Sequence, residues 1–296
     1  MSDEQVRFTG AMTALITPFD ADGKVDFDAF GRNIEDQIAA GINALVPCGT
    51  TGESATMSHQ EHEEVVSFAI KTAAGRTRVL AGAGSNNTAE AVRLTRSAAE
   101  AGADGVLLVS PYYNKPTQDG LYEHHKTIGE STGGVPQVLY NVPGRTGKEI
   151  EVDTVARLAG LPFVAGIKEA GGCVDRVSSI LAACDITLVS GDDSLTLPMM
   201  SVGAAGVISV ISNLIPGDVK KLVQAAAAGD FATARELHYR MLPLVRLAFI
   251  ENNPMGIKTM MRLAGRGAGS FRMPLCEMKR ENVAKIESCL AEYGVH

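Results

Sequence analysis

Eight short apolar segments alternate with longer amphipathic segments along this chain, and this alternation limits the possible folds more than any other feature. The stretches between them, such as FDAFGRNIEDQIAAG, carry apolar residues at spacings of three and four, which is typical of helices. Strands that are apolar on both faces and alternate with helices form parallel sheets. Eight such units favour a closed (β/α)₈ TIM barrel over an open doubly wound sheet, which usually has about five or six strands. The apolar segments span residues 11–19, 44–49, 78–84, 105–113, 136–143, 163–170, 186–193 and 206–213.

The alternation ends near Gly229, and the rest of the chain has a different pattern. Three amphipathic segments, 231–250, 254–265 and 277–294, follow one another with no apolar strand between them. A TIM barrel occupies about 250 residues, so a chain of 296 residues has room for one barrel and a modest extension. We therefore predict a (β/α)₈ barrel over residues 1–229 and a small C-terminal helical appendix over residues 230–296.

Composition and charge narrow the class of protein. The formal net charge of −7 argues against nucleic acid or an anionic membrane surface as a partner. No apolar run approaches the ~18 residues that a membrane span needs, and the N-terminal segment MSDEQVRFTG is too acidic and polar for a signal peptide. The five cysteines include no CxxC pair, which suits free thiols in a reducing compartment. We therefore predict a cytoplasmic protein.

Two patterns that suggest ligand motifs are incomplete. His59 and His62 lie three apart on a predicted helix, but HExxH is absent and no obvious third ligand accompanies them. The sequence AGAGSNN after the third apolar segment lacks the third glycine of a dinucleotide fingerprint. We therefore predict that the protein uses neither a metal ion nor a cofactor.

Lys168 is the most informative candidate for chemistry. Active sites of TIM barrels lie at the carboxyl ends of the strands, and Lys168 follows the apolar sequence FVAGI at such an end. An amine withdrawn from water is more easily neutral, and a neutral amine attacks a keto carbon to form an imine. The alternative is a lysine whose ammonium simply reaches solvent from the strand end. The spacing alone leaves both interpretations open.

The turn Gly49-Thr50-Thr51-Gly52-Glu53 joins the second apolar segment to a predicted helix. Backbone N–H groups and hydroxyls at the positive end of a helix make a seat for a small carboxylate. The alternative is a helix cap with no ligand, and the sequence of the turn does not decide between the two.

Tyrosines and one arginine gather at the same predicted face. Tyr112, Tyr113 and Tyr140 all fall at strand ends, where they suit either a proton relay or core positions with one polar contact. Arg145 lies in a Pro-Gly-Arg-Thr-Gly turn, where a guanidinium suits a bidentate grip on a carboxylate or simple solvation.

Taken together, these motifs resemble those of the dihydrodipicolinate synthase family, which belongs to the N-acetylneuraminate lyase superfamily. The resemblance runs from about residue 8 to about residue 250, and its long motifs occur in order on the predicted strands. The motifs are LITPF, GTTGESATMSHQEHEEV, AGAGSNNTAEA, PYYNKPTQDGLYEHH, LYNVPGRTG, GIKEA, SGDDS and GVISV.

The resemblance implies a class I aldolase-type lyase of lysine and diaminopimelate biosynthesis. Such an enzyme condenses pyruvate with L-aspartate 4-semialdehyde to give 4-hydroxy-tetrahydrodipicolinate. By this resemblance Lys168 forms the imine, and Tyr140 and Thr50 form a proton relay with Tyr113 of a neighbouring subunit. Thr50 and Thr51 hold the pyruvate carboxylate, and the backbone around Ile208 closes the pyruvate pocket. Arg145 holds the carboxylate of the semialdehyde.

The resemblance also implies regulation and assembly. Members that lysine inhibits carry an effector pocket at a dimer interface, so we predict lysine as an inhibitor. The resemblance also favours a homotetramer built as a dimer of dimers, although the sequence alone leaves a dimer open. The positions that match the effector pocket are Ser54, Ala55, His59, His62, Asn86, Glu90 and Tyr112.

Two positions depart from the family. Gly144 stands where many members have Ser or Pro, and Gly256 replaces a proline of the pattern NP-x-P-V-K.

Two other functions remain as alternatives. A sister aldolase for sialic acid or a 2-keto-3-deoxy sugar acid would share Lys168, Tyr140 and the Gly-Thr turn. Arg145 favours the synthase, because a small anionic aldehyde needs a cationic partner whereas a polyol chain needs hydroxyl partners. The second alternative is a barrel that binds a metabolite without catalysis.

Overall fold

The computed structural model describes residues 7–295, and within that range the chain forms a closed barrel of eight parallel strands. The strands follow chain order around the barrel, and β1 closes the ring by pairing with β8. Each strand overlaps one predicted apolar segment, so the predicted TIM barrel is confirmed. The strands are β1 (Gly10–Ala14), β2 (Ala44–Val46), β3 (Arg78–Gly82), β4 (Gly105–Val109), β5 (Gln137–Asn141), β6 (Val164–Glu169), β7 (Leu188–Ser190) and β8 (Gly206–Ser209).

The strands are apolar on both faces because each face meets its own core. In β4, Leu107 belongs to the cluster that fills the barrel, whereas Leu108 packs against the surrounding helices. The cluster inside the barrel contains residues from all eight strands, among them Met12, Val46 and Ile208. The barrel centre is therefore packed and leaves room for a ligand only above the strand ends.

Helices surround the barrel and begin at capping residues that the sequence supplies. Ser58 and Glu61 form a capping box at the start of α2, and Asn87 caps α3 by accepting a hydrogen bond from the N–H of Ala89. The helices of the barrel are α1 (Phe27–Ala39), α2 (His59–Ala73), α3 (Thr88–Ala101), α4 (Gln118–Ser131), α5 (Pro143–Thr146), α6 (Val152–Ala159), α7 (Val174–Ala183), α8 (Thr196–Ser201) and α9 (Pro216–Ala227), with 3₁₀ helices at Ser54–Thr56, Asp193–Leu195 and Ile211–Asn213.

Three further helices follow: α10 (Phe231–Ala248), α11 (Met255–Leu263) and α12 (Arg280–Tyr293). They share one apolar core with the barrel, which includes Ile16 after β1 and Leu244 of α10. The division of the chain at residue 229 stays a prediction.

Gly256 explains how closely α11 approaches α10. A Cβ atom added at Gly256 would lie 2.3 Å from the carbonyl oxygen of Ala248, so any larger residue would push the two helices apart. The glycine that departs from the family pattern is therefore required by the packing seen here.

No helix between residues 7 and 295 combines the length and the apolar character needed to cross a membrane. Residues 1–6 and residue 296 lie outside the described range, so the prediction about the acidic N-terminal segment falls largely outside it.

Candidate active site

A cavity of about 440 Å³ opens at the carboxyl ends of the strands, where the barrel fold places active sites. The βα loops form most of its wall, but α10 and the residues after it form the rest. The predicted helical appendix therefore contributes to the site. The lining residues with polar side chains are Thr50, Thr51, Tyr140, Arg145, Lys168, Asp192, Ser194, Arg246 and Asn253.

Lys168 and Tyr140 lie side by side at the base of this cavity. They are register partners on the neighbouring strands β6 and β5. Lys168 is 5% exposed, and its Nζ lies 4.3 Å from the centroid of the Tyr140 ring. Gly191 packs directly on the lysine stem, because a Cβ atom there would lie 2.9 Å from Cε of Lys168. The amine is thus held at the cavity floor by a strand, an aromatic face and a glycine.

Glu169 is the next residue of β6, and its side chain points away from the cavity. The carboxylate is fully buried and accepts hydrogen bonds from Nδ2 of Asn141 at 3.0 Å, from the N–H of Gly171 at 2.6 Å and from Nε of Arg176 at 3.1 Å. The carboxylate of Glu169 therefore has hydrogen-bond partners outside the cavity, and these bonds hold the end of β6 next to Lys168.

Thr50 and Thr51 line the cavity on a compact turn. The N–H of Gly52 donates to the carbonyl of Gly49 at 3.1 Å, and the N–H of Glu53 donates to the carbonyl of Thr50 at 3.1 Å. The helix predicted directly after this turn is not there: the 3₁₀ helix Ser54–Thr56 follows, and α2 begins only at His59. A carboxylate seat at this turn therefore rests on hydroxyls and turn amides, since no long helix points its positive end at it.

Arg145 lies in the short helix α5 and also lines the cavity. One guanidinium nitrogen lies 3.5 Å from the carbonyl oxygen of Asn253. The guanidinium makes no ion pair among the described residues, so it is free to meet an anionic ligand.

Tyr113 and Ile208 are the predicted site residues that do not line this cavity. Tyr113 is 89% exposed and has a left-handed backbone with φ of 72°. Ile208 is packed inside the barrel, and Val210 reaches the cavity wall instead. Asp193 fixes Val210, because its carboxylate accepts the N–H of Val210 at 2.9 Å.

A second cavity, of about 420 Å³, adjoins the first. Six of the seven predicted effector residues line it: Ser54, Ala55, His59, His62, Glu90 and Tyr112. The seventh, Asn86, lies beside the lining and donates from Nδ2 to the carbonyl of Tyr112 at 3.1 Å. Thr50 and Arg145 line both cavities, so the two share a wall.

Glu90 is the charged centre of the second cavity. The Ser85 hydroxyl donates to its carboxylate and His59 contacts it through Nε2. The Ser85 hydrogen bond, followed by His59, lowers the pKa of Glu90, whereas burial lowers the pKa of His62. At neutral pH the cavity therefore presents the carboxylate of Glu90 and the uncharged imidazole of His62 beside the guanidinium of Arg145, and the carboxylate suits the cationic part of a ligand.

Within residues 7–295, no group of three or more His, Cys, Asp or Glu side chains is arranged to hold a metal ion. The five cysteines are free thiols. Burial raises the pKa of the Cys48 thiol far above its usual range, so this thiol stays protonated beside the threonine turn.

Several residues at or behind the site were not singled out from the sequence. Arg246 and Asn253 line the cavity from the C-terminal region, and Lys258 is buried behind the threonine turn. The available signal was a lysine inside the apolar segment MGIKTMM, which is unusual for a helix face that packs against a core.

Comparison with known proteins shows relatives along almost the entire chain. The profile of the Dihydrodipicolinate synthetase family matches residues 7–293. The 4-hydroxy-tetrahydrodipicolinate synthase of Endomicrobium trichonymphae is 52% identical over 290 residues, which cover 97% of this chain and 99% of the relative.

Solved structures agree with this result. The crystal structure of dihydrodipicolinate synthase from Aquifex aeolicus superposes with a TM-score of 0.95 at 49% identity, covering 97% of this chain and 99% of that one. The structure of the enzyme from Cyanidioschyzon merolae with lysine bound has a TM-score of 0.95 at 36% identity, covering 98% and 100% of the two chains. The protein described here belongs to the dihydrodipicolinate synthetase family.

Proposed function

We propose that the protein condenses pyruvate with L-aspartate 4-semialdehyde to give 4-hydroxy-tetrahydrodipicolinate, a lyase reaction of lysine and diaminopimelate biosynthesis. The observation that carries the proposal is the buried amine of Lys168 at the floor of a cavity lined by two threonines, a tyrosine and an arginine. The family membership supports the same reaction, because a relative with that name is 52% identical over nearly the full length.

In the first half of the reaction, the neutral amine of Lys168 attacks the keto carbon of pyruvate, and water leaves to give a protonated imine. Thr50 and Thr51 hold the pyruvate carboxylate through their hydroxyls and the amides of their turn. The imine withdraws electrons, so a methyl proton leaves and an enamine forms. Tyr140 carries protons during these steps, and its position beside Lys168 supports that role.

In the second half, the enamine carbon attacks the aldehyde carbon of the semialdehyde, and the new alkoxide takes up a proton. Arg145 holds the carboxylate of this second substrate, which a guanidinium binds with two parallel hydrogen bonds. The amine of the substrate then attacks the imine carbon, which closes the ring and releases Lys168. The backbone around Ile208 closes the pyruvate pocket through the turn that leads to Val210.

The proposed assembly is a cytoplasmic homotetramer built as a dimer of dimers. Tyr113 supports this assembly, because its ring is 89% exposed in one chain and is free to enter the site of a neighbouring subunit. There it would join Thr50 and Tyr140 in one hydrogen-bonded chain. Light scattering at several protein concentrations tests the assembly, and a monomer at all of them would contradict it.

The second cavity is proposed to bind L-lysine as an inhibitor. A carboxylate from Glu90 and the neutral ring of His62 suit a cationic amino acid, and the shared wall at Thr50 and Arg145 gives a direct route to the active site. The Cyanidioschyzon merolae relative was solved with lysine bound. Calorimetric titration with lysine at millimolar concentrations should show binding, and the absence of heat would reject the proposal.

Borohydride trapping tests the reaction itself. Reduction in the presence of pyruvate should attach the keto acid to the peptide that contains Lys168 and should abolish activity. The Lys168→Arg variant is the control and should trap nothing. An unmodified peptide in the wild-type protein would refute the imine.

A coupled assay then separates the synthase from its sister aldolases. Turnover with aspartate semialdehyde, read through a dihydrodipicolinate reductase, identifies the synthase. Cleavage of a sialic acid or a 2-keto-3-deoxy sugar acid in place of that turnover would identify the sister activity.

A further inference from the structure

Lys258 of α11 is fully buried close to the active site and belongs to no part of the proposed chemistry. Its side chain is 0% exposed, and it is not part of the cavity wall. Its Nζ donates to the carbonyl of Thr17 at 3.0 Å, to the carbonyl of Ser270 at 2.6 Å and to the carboxylate of Glu53 at 2.6 Å. An ammonium has three donors, so every donor of Lys258 has a partner.

Glu53 is the last residue of the turn that carries Thr50 and Thr51. Its backbone is left-handed, with φ of 56°, a region that residues other than glycine occupy only when their surroundings hold them there. Its side chain is also 0% exposed, and its second carboxylate oxygen accepts the N–H of Arg272 at 3.3 Å. The end of the turn is therefore held by charge and hydrogen bonds from the C-terminal region.

The same region contacts the turn at a second place. Asn253, which lies just before α11, donates from Nδ2 to the hydroxyl oxygen of Thr51 at 3.0 Å. Thr17 adds a third contact, because its hydroxyl donates to the carbonyl of Gly52 at 2.8 Å while its own carbonyl accepts from Lys258. Through these contacts, Lys258 connects α11 with the loop after β1 and with the turn.

We infer that Glu53 and Lys258 are positioning residues that hold the Thr50–Thr51 turn in the geometry that binds the carboxylate of pyruvate. This inference rests on the proposed function, which makes pyruvate the ligand of the turn. Neither charged group touches the substrate, and their effect reaches it through the backbone of the turn.

Charge explains why the pair must be tested as a pair. Burial lowers the pKa of Lys258 below its usual range, and the carboxylate of Glu53 counteracts that effect. Removing Lys258 alone leaves a buried carboxylate without its counterion, which destabilises a fold strongly. Replacing both groups by neutral ones removes that penalty but also removes the connection between α11 and the turn. The double variant therefore separates a stabilising role from a positioning role.

The experiment compares the wild type with Lys258→Met, Glu53→Gln and the double variant. For each protein, steady-state kinetics give kcat and the KM of both substrates, borohydride trapping gives the pyruvate dependence of imine formation, and thermal denaturation gives Tm. Ile286→Ala is the matched control, because Ile286 of α12 is buried in the apolar core that α10 to α12 share with the barrel, and this core includes no residue of the turn.

We expect Lys258→Met to lower Tm and to raise the pyruvate KM by about tenfold or more, the effect of losing a charge-assisted hydrogen bond at the turn. The double variant should recover most of the Tm but keep the raised pyruvate KM. In the same variants the semialdehyde KM and the trapping rate at saturating pyruvate should stay within about threefold of the wild type. A raised pyruvate KM with an unchanged rate at saturation shows that the variants lose pyruvate binding and not chemistry. Ile286→Ala should lower Tm with no change in the pyruvate KM.

Glu53→Gln keeps Lys258 and its two carbonyl partners, so it tests the inference even where Lys258→Met does not fold; its pyruvate KM should rise by about threefold. Wild-type pyruvate KM values in both Glu53→Gln and the double variant would overturn the inference and leave the pair a stabilising contact only. A wild-type protein that traps no pyruvate would instead refute the proposed function, and the inference would fall with it.

Discussion

Replacing Gly191 with alanine should slow imine formation at Lys168 while the barrel stays folded. The added Cβ atom would lie 2.7 Å from Cβ of Ala170, 2.9 Å from Cε of Lys168 and 3.1 Å from Cγ of Lys168. Ala170 has no flexible end that can move aside. The collision is therefore relieved mainly by the lysine stem, which carries the reacting amine.

The size of the effect follows from these distances. Carbon atoms in comfortable contact are about 3.5–4.0 Å apart, so the stem must move by roughly 0.5–1 Å. A displacement of ~1 Å at a reacting group costs up to about 100-fold in rate, and overpacking of a tight site costs about 1–3 kcal/mol in stability. We therefore expect the trapping rate to fall by about 10- to 100-fold, with a moderate loss of Tm.

The assay is borohydride trapping at saturating pyruvate, followed by mass spectrometry of the peptide that contains Lys168. Gly144→Ala is the matched control, because a Cβ atom there meets no heavy atom within 4 Å and pyruvate alone does not need the neighbouring Arg145. The control should trap at the wild-type rate and gain about 0.4–1 kcal/mol in stability from a less flexible unfolded chain. A Gly191→Ala variant that traps within about threefold of the wild type would refute the reasoning.

Three further predictions concern other parts of the molecule. Gly256→Ala should lower the free energy of unfolding by about 1–3 kcal/mol, measured by chemical denaturation, because its Cβ atom would collide with the backbone of Ala248. Glu61→Gln should cost about 1 kcal/mol at neutral pH, since Arg272 lowers the pKa of Glu61 from 4.5 to about 2. A lowered carboxylate pKa stabilises the fold above about pH 4.5 and loses that effect as the pH falls towards 2, so wild type and variant should converge in acid-range thermal denaturation. Glu90→Gln should weaken lysine binding by about tenfold or more in calorimetry while turnover without lysine persists; unchanged lysine affinity would argue against the effector proposal.

The barrel was predictable because its information is local and repeated. Each strand is apolar on both faces, as GVLLV shows for β4, and each helix starts at a polar cap such as Ser58. The position of Lys168 at the barrel mouth was predictable for a related reason, because it follows an apolar strand at its carboxyl end, whereas its role as the imine-forming lysine came from the resemblance. These are properties of short segments, so no knowledge of distant contacts is needed.

The parts that escaped prediction depend on distant contacts. Lys258 is buried because Glu53 and two carbonyl groups converge on it, and nothing within its own helix encodes that arrangement. Asn253 enters the cavity because α10 and α11 fold back over the strand ends. Tyr113 is a different case, because the resemblance predicted its role in a neighbouring subunit; in this chain its ring is 89% exposed and lies outside the cavity wall.

The contact between Glu53 and Lys258 also bears on how the protein is made. The two residues are 205 positions apart in the chain, so most of the polypeptide must leave the ribosome before they can meet. A nascent chain that has completed β6 already contains Lys168, the amine proposed to react, but the Thr50–Thr51 turn still lacks its contact with Lys258. If the turn needs this contact, as inferred above, the site is complete only after α11 has been synthesised and has folded onto the turn.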